Sequence, residues 1–375
     1  MSKKLCLYFN TPSIYIEEIY TKIEEKYDCE WYFSSGDFMV KSFDVSKYDS
    51  VHWLANRNLG LFYWVKGMLS LLNIDCQNYI LVGETRCLSL YIFLLLKRSF
   101  FRQKKVLLWT HGYYGKVSWI QKNIFKRPLL KMADGLLVYG NYARELMLKE
   151  GFNPQTTLTI HNSLAYTEQL KLRNTIKPSY IYKEYFGNNN PVLIFLGRLT
   201  PVKQLDMLVT AVAHLNDRGE QFNLVFVGDG SERERLEELV KSYGIENQVW
   251  FYGACYDEVK NAELVYNADL CVAPGNIGLT AMHVMMFGCP ALTHDCFKWQ
   301  MPEFESIHPY KTGNFFEYQN QESLEEKISE WFRINGDNRE DVRQACYKEI
   351  DKQWNPNIQM KVIEKGLSIK KNISL

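Results

Sequence analysis

A chain of 375 residues, 46% apolar and 23% charged, is longer than one hydrophobic core ordinarily organises, and its composition excludes disordered and collagen-like classes. The formal net charge of +1 conceals an asymmetry: residues 1–180 carry 24 Lys+Arg against 15 Asp+Glu, whereas the remainder carries 20 against 28. Nine scattered cysteines without a Cys-x-x-Cys argue against a disulfide framework and for reduced thiols in a cytoplasmic setting.

Met1-Ser2-Lys3-Lys4 precedes only five residues before Asn10-Thr11-Pro12, too few for a secretory apolar segment. Strand-like runs follow at Leu5–Phe9, Ser50–Trp53, Tyr79–Val82, Lys105–Trp109 and Leu136–Val138, with helical segments between several of them. The most lipid-like run, Leu88–Leu96, contains Ser89 and Tyr91 and is too short to span a bilayer, so any membrane contact is expected to be peripheral.

From Lys97 to Lys131 there are ten cations and no acid, interleaved with Tyr113, Tyr114, Trp119 and Phe125. Lys116, Lys122, Lys126 and Arg127 with Trp119 fit a surface that touches anionic lipid headgroups; a merely solvated basic face is the plainer alternative. Nucleic acid is the competing partner for such a stretch, but none is expected, because no zinc, helix-turn-helix or ribonucleoprotein signature is present.

The stretch 171–191, with Pro178, several tyrosines and Gly187-Asn188-Asn189-Asn190-Pro191, reads as an interdomain connection. Beyond it, strands at 192–196, 222–227, 249–252, 269–273 and 290–293 alternate with helical patterns, which predicts a parallel sheet with helices on both faces. Ser231 with Glu234, and Ser323 with Glu326, form capping-box patterns before two of the helices. Ligands sit at the carboxyl ends of such strands, so the loops at 197–203, 228–231, 253–257 and 274–280 should converge on one crevice.

The first of these loops carries the strongest chemical signal. Val192-Leu-Ile-Phe-Leu196 runs into Gly197-Arg198-Leu199-Thr200-Pro201-Val202-Lys203, and Leu205, Leu208, Val209, Val212 and Leu215 then mark one face of a helix. A glycine turn at a helix start, with a guanidinium and an ammonium beside it, suits a diphosphate; two solvated cations on a surface turn are the alternative.

Taken together, these residues resemble the retaining glycosyltransferases of the GT-B fold, family four type, over about residues 105–335. The match comprises Gly197-Arg198-Leu199 with Lys203, Val227-Gly228-Asp229-Gly230, Ala268-Asp269 before Pro274, Gly278-Leu279, and Gly288-Cys289-Pro290. The resemblance implies an α/β, GT-B architecture of two Rossmann-like, doubly wound parallel-sheet domains facing a central cleft. An acceptor-binding domain is expected at 1–175, a nucleotide-sugar-binding domain at 176–350, and a terminal helix in 351–375 that crosses back to the first. It also implies that Arg198 and Lys203 hold a donor diphosphate, with Gly197, Thr200, Gly228, Asn276, Ile277, Gly278, Leu279 and Thr280 around it. His111, followed by Gly112, resembles the family's acceptor-side histidine; a lone histidine after a strand is otherwise structural.

The chain departs from the pattern at one place. The family usually has two glutamates eight residues apart, and here Gly275 and His283 occupy those positions. His283 can still hydrogen-bond a ribose hydroxyl, or it is a core histidine on an apolar helix.

No Asp-x-Asp and no metal-spaced cluster is present, so neither a metal nor another cofactor is expected, and protein cations must meet the charge of the leaving diphosphate. The expected activity is transfer of a sugar, with retention, from a nucleoside-diphosphate sugar to a lipid-linked or oligosaccharide acceptor. Its setting would be bacterial capsule, O-antigen or exopolysaccharide synthesis, in the cytoplasm against the anionic inner face of the plasma membrane. A GT-B nucleotide-sugar epimerase and a catalytically inactive sugar-nucleotide binding protein are the alternatives.

Overall fold

The computed structural model describes residues 3–13, 16–35, 43–113 and 118–369. Lys116 and Tyr114, named above in the basic stretch, lie outside the described residues. The chain divides into two compact units, one of residues 1–165 with 355–375 and the other of residues 166–354.

The first unit is built on an eight-stranded sheet of β1 (Lys4–Phe9), β2 (Asp28–Ser35), β3 (Val51–Leu59), β4 (Phe62–Val65), β5 (Asn78–Val82), β6 (Lys105–Thr110), β7 (Gly135–Val138) and β8 (Thr157–Thr159). Their spatial order is β4-β3-β2-β1-β5-β6-β7-β8. All neighbours are parallel except the β3–β4 hairpin. Both faces are covered, one by the layer around Tyr79, Leu81, Leu90 and Phe93, the other by the layer around Ile19, Trp31, Ile80 and Ile363. That double covering explains the near-continuous apolar runs of β1 and β6.

Ile363 comes from the terminal helix Pro356–Ser368, whose start is capped by the Asn355 side chain. Its far end is held by the buried Lys105, whose Nζ donates to Leu367 O (2.9 Å) and Ile369 O (2.6 Å). Gly366 lets the helix lie close, because a Cβ there would meet Leu107 Cδ1 at 2.9 Å.

The second unit has six parallel strands, β9 (Val192–Leu196), β10 (Asn223–Val227), β11 (Val249–Gly253), β12 (Leu270–Ala273), β13 (Ala291–His294) and β14 (Gly313–Phe316), ordered β11-β10-β9-β12-β13-β14. Every residue of β9, β10, β12 and β13 is buried. The helix Leu205–Asp217 buries the predicted Leu205, Leu208, Val209, Val212 and Leu215.

Several expectations need correction. The segment 171–191 is not a connection between units: it is folded onto the second unit. Helices Tyr166–Thr175 and Ile181–Phe186 run through it, Tyr182 donates to Leu264 O (2.6 Å), and Tyr185 stacks on Trp250 at 4.0 Å. The units change at residues 165 and 166, about ten residues before the expected boundary. β2, β4, β8 and β14 went unread. β2 opens on charged residues, and β8 is only three residues long.

Neither capping box forms. The helix Arg233–Tyr243 has no side-chain cap, because the Glu232 amide donates instead to Leu199 O (3.1 Å) and ties the turn to the neighbouring loop. The helix Gln321–Asn335 is capped by Asn320, which accepts from the Ser323 amide, while the Ser323 hydroxyl accepts from the Glu317 amide.

Candidate functional site

The loops that leave the carboxyl ends of β9, β10, β11 and β12 are stitched together backbone to backbone. Gly197 N donates to Val227 O, Leu199 N to Asp229 O, and Gly228 N to Gly253 O, each at 2.9 Å. Glycine makes this spacing possible. Gly228 sits at φ +152°, and a Cβ there would fall 1.8 Å from Gly197 O; at Gly230 it would fall 2.2 Å from Leu199 O. No other residue type fits at either place.

Gly275 belongs to the same weave. Its amide donates to Lys203 O (2.9 Å), and a Cβ on it would lie 2.1 Å from Val202 O. The position that carries a glutamate in the resembling family is therefore filled here by the backbone of the preceding loop, and the missing carboxylate is a change of packing as well as of side chain.

The two loop cations differ. Arg198 is exposed, and its guanidinium makes no ion pair with a described residue. Lys203 is half-buried, and its Nζ donates to Asn276 O (2.6 Å) and Asn276 Oδ1 (2.8 Å). Burial, and then repulsion from Arg198, push the Lys203 pKa down to about 8. Thr200 opens the short turn Pro201–Lys203, its carbonyl accepting from the Lys203 amide (2.9 Å), and Gln204 at φ +50° passes the chain into the helix Leu205–Asp217.

The loop before the helix Thr280–Met286 only partly matches expectation. The Ile277 amide is already used: it donates to Gln300 Oε1 (3.1 Å). Gln300 Nε2 in turn donates to Thr293 Oγ1 (2.8 Å) and His294 O (3.0 Å), which ties the loop after β12 to the end of β13. The amides of Gly278, Leu279 and Thr280 meet no backbone acceptor among the described residues, as expected for first-turn donors. Thr280 does not point its hydroxyl at a ligand; Oγ1 donates to Leu196 O (2.8 Å) and anchors the helix start on β9.

His283 is not a plain core residue. Its Nε2 is 2.9 Å from Glu258 Oε1, and the same oxygen accepts from Gln169 Nε2 (2.8 Å). Burial works to raise the Glu258 pKa, but the hydrogen bonds from His283 and Gln169 outweigh it and hold the carboxyl below its ordinary value. A carboxylate thus stands at the carboxyl edge, at the start of the helix Glu258–Asn267, supplied by a residue the sequence reading missed. Its one sequence signal was Asp257-Glu258 directly after the β11 loop, while Gln169 and Gln300 gave none.

In the first unit, His111 follows β6 and packs against Tyr139 with ring centroids 4.7 Å apart. Crowding by protein atoms, and then the Lys126 ammonium, lower its pKa to about 4 although part of the ring stays open to water, so the neutral imidazole prevails at pH 7. Gly112 sits at φ +61°, and a Cβ would meet Met147 Sδ at 2.8 Å. Lys122 pairs with Glu150 and lies over the Tyr113 ring; Arg127 donates to the Glu150 carbonyl (3.1 Å). Burial lowers the Lys126 pKa while Glu84 opposes the shift. Lys122 and Arg127 are thus answered within the unit, while Arg98, Arg102 and Lys131 of the stretch are exposed, as are the apolar side chains of Trp119, Ile120 and Ile124. Among the described residues, no helix is long and apolar enough to cross a membrane, and no group of three or more His, Cys, Asp or Glu is arranged to hold a metal ion.

Residues 178–349, which hold the whole glycine weave, match the profile of the family Glycosyl transferases group 1. These residues make up less than half of the chain, and through them it is similar to members of that family. Alpha-D-kanosaminyltransferase of Streptomyces kanamyceticus is 25% identical over 176 residues, 45% of this chain and 45% of that protein, so the chain spans less than half the length of this curated relative. Among solved structures, Anabaena HepE in complex with UDP has a TM-score of 0.72 at 16% identity, over 98% of this chain and 100% of that one. The lipopolysaccharide outer core galactosyltransferase WaaB has a TM-score of 0.71 at 14% identity, over 97% and 99%. The two structural likenesses establish the fold, GT-B with two parallel-sheet α/β units. The group 1 profile covers the second unit almost entirely and leaves the first to the fold likeness alone.

Proposed function

We propose that this chain, acting as a group 1 glycosyl transferase, moves a sugar, with retention, from a nucleoside-diphosphate sugar to a hydroxyl of a lipid-linked or oligosaccharide acceptor during surface-polysaccharide assembly. Capsule, O-antigen and exopolysaccharide are the product classes it would serve. The observation that carries this reading is the glycine weave at the carboxyl edge of the second sheet, which fixes Arg198 exposed and Lys203 beside it. A fixed pair of cations on a rigid backbone turn suits a diphosphate, whose charge is compact and always in the same place relative to the sugar. The UDP in Anabaena HepE supports a nucleotide donor.

In this reading the acceptor oxygen forms a bond to the anomeric carbon as the bond to the diphosphate oxygen breaks. The acceptor proton passes to the departing phosphate on the same face. Arg198, Lys203 and the amides of Gly278 to Thr280 meet the charge that grows on the leaving group. No metal has a role in this scheme, and no protein nucleophile is required. His111, neutral and partly exposed, accepts or donates one hydrogen bond on the acceptor side. The enzyme would work at the cytoplasmic face of an anionic membrane, touching it through the first unit.

Replacing Arg198 with Gln tests the claim, because an exposed, unpaired side chain can be removed without disturbing the fold. Turnover with the preferred donor among UDP-, GDP- and dTDP-sugars should fall by roughly 100- to 1,000-fold. Unchanged transfer and unchanged nucleoside-diphosphate affinity would refute the assignment.

A further inference from the structure

The helix Tyr166–Thr175 is attached to the second unit in an uncommon way. Tyr166 is where that unit begins, so no earlier element of it steadies the helix from upstream. The helix has no apolar stripe, and the one residue it buries is Gln169. Polar contacts therefore hold it where an apolar face ordinarily would. Tyr166, Gln169 and Arg173 are spaced by three and then four residues, which puts them on one face.

Two of these side chains go to a single carboxylate on the helix Arg339–Gln353. The Tyr166 hydroxyl donates to Asp351 Oδ1 (2.9 Å), and Arg173 donates from Nη1 to Oδ1 (3.1 Å) and from Nη2 to Oδ2 (2.9 Å). The guanidinium also lies over the Tyr347 ring, 4.5 Å from its centroid, and the Arg173 side chain is 8% exposed. A bidentate, stacked and largely buried guanidinium makes a stiff joint, unlike a solvated surface pair. The third side chain, Gln169, donates to Glu258 Oε1 (2.8 Å), the oxygen that also meets His283 Nε2. Glu258 itself keeps 36% of its side chain open to water, so it can still accept from a ligand.

Resting on the transferase reading above, we propose that Asp351, Tyr166 and Arg173 are positioning residues for the donor site. They lock the helix Tyr166–Thr175 so that Gln169, with His283, holds the Glu258 carboxylate ready for hydroxyls of the nucleoside-diphosphate sugar. A carboxylate can only accept, and a sugar nucleotide brings several O–H donors. Gln169 is neutral, so it fixes the carboxylate without cancelling its charge. A carboxylate fixed beforehand loses less freedom when the ligand arrives, which leaves more of the contact as affinity. The helix has no apolar face to keep it in place, so loosening the joint at Asp351 should be felt at Glu258.

The test is a double-mutant cycle in the full chain, with the preferred donor among UDP-, GDP- and dTDP-sugars. Asp351→Asn keeps the shape of the joint and removes its charge. It should raise the Michaelis constant for the donor roughly three- to fivefold with turnover little altered, the size of one weakened hydrogen bond. In a Glu258→Gln background the same change should have almost no effect, whereas groups that do not cooperate give additive effects. Hydrogen exchange without ligand supplies a second readout: Asp351→Asn should speed exchange roughly tenfold both in residues 166–175 and in residues 258–265. Tyr166→Phe, which removes one oxygen, takes the place of Asp351→Asn if that variant fails to fold. Additive effects in the cycle, or an unchanged Michaelis constant, overturn the proposal and leave the transferase reading standing. A parent chain that neither transfers sugar nor binds UDP or GDP removes the transferase reading. The positioning then rests on exchange alone: acceleration that reaches 258–265 supports it, and acceleration that stops at 166–175 overturns it.

Discussion

The carboxyl edges of the two sheets are built on opposite plans. In the second unit the edge is made of backbone: Gly197, Gly228, Gly230 and Gly275 bring the loops so close that no Cβ fits at the last three. In the first unit the edge carries side chains, Glu84 after β5 and His111 after β6, and beside them an added Cβ at Gly83 or Gly112 would meet side-chain atoms of Thr110 or Met147 rather than backbone. A backbone weave suits a group that never varies, such as a diphosphate. A rim of side chains can be exchanged one residue at a time, which suits a partner that differs from enzyme to enzyme.

The contrast breaks most sharply at glycine. Gly228→Ala would drive a Cβ into Gly197 O from a backbone conformation that L residues rarely adopt, and neither clashing group is a flexible side-chain end. Thermal or denaturant unfolding of the second unit should lose about 3 kcal/mol or more, and nucleotide binding should vanish with it. Gly112→Ala in the first unit meets side chains only, Met147 Sδ at 2.8 Å and Val138 Cγ1 at 3.3 Å, in an ordinary left-handed turn, so about 1–2 kcal/mol is expected. Equal losses at the two sites would erase the distinction.

The same contrast governs what the sequence disclosed. The phosphate loop was legible because its parts are consecutive: an apolar strand, a glycine, two cations, then an amphipathic helix. Parallel-sheet alternation followed from the same local pattern. Glu258, Gln169 and Gln300 were illegible because they reach the edge from other elements, and nothing local distinguishes a glutamine that braces a loop from one on the surface. The glutamate-to-glycine change at position 275 was visible, but that a neighbouring backbone occupies its space was not. Gly275→Glu should therefore disrupt the loop rather than restore a carboxylate.

A smaller effect separates the two cations of the phosphate loop. Lys203, depressed to about 8 in the free protein, is only partly charged above that pH, while Arg198 stays charged throughout. A bound diphosphate would raise the Lys203 pKa again, so binding takes up a proton. Nucleoside-diphosphate affinity should be steady below pH 7 and fall as pH rises through 8, by no more than about tenfold per unit. Lys203→Arg should flatten the profile. A wild-type profile already flat to pH 9 would show that Lys203 does not face the phosphates.

Glu258 offers a finer probe of the site, because it can be changed without touching the weave. Glu258→Gln keeps the shape and can still bond His283, but it loses the charge that draws hydroxyl donors. The Michaelis constant for the donor should rise roughly fivefold with turnover little altered, the pattern of a lost ground-state contact. A drop in turnover at constant Michaelis constant would place Glu258 in the chemistry instead.

The smallest expected effects concern the part of the basic stretch around Lys122, where the cations are paired and apolar side chains are exposed. Lys122 and Arg127 already share Glu150, so Lys122→Glu removes a cation whose field is largely spent within the unit, and release from anionic vesicles should be slight. Trp119 is 72% exposed, with Ile120 and Ile124 beside it, and an apolar edge of this kind binds by area rather than by charge. Ile124→Asp should weaken vesicle binding more than Lys122→Glu does. A single cation that truly faced the membrane would be worth about 1 kcal/mol, so the reverse order of effects would show that charge, not the exposed apolar edge, holds the first unit to the bilayer.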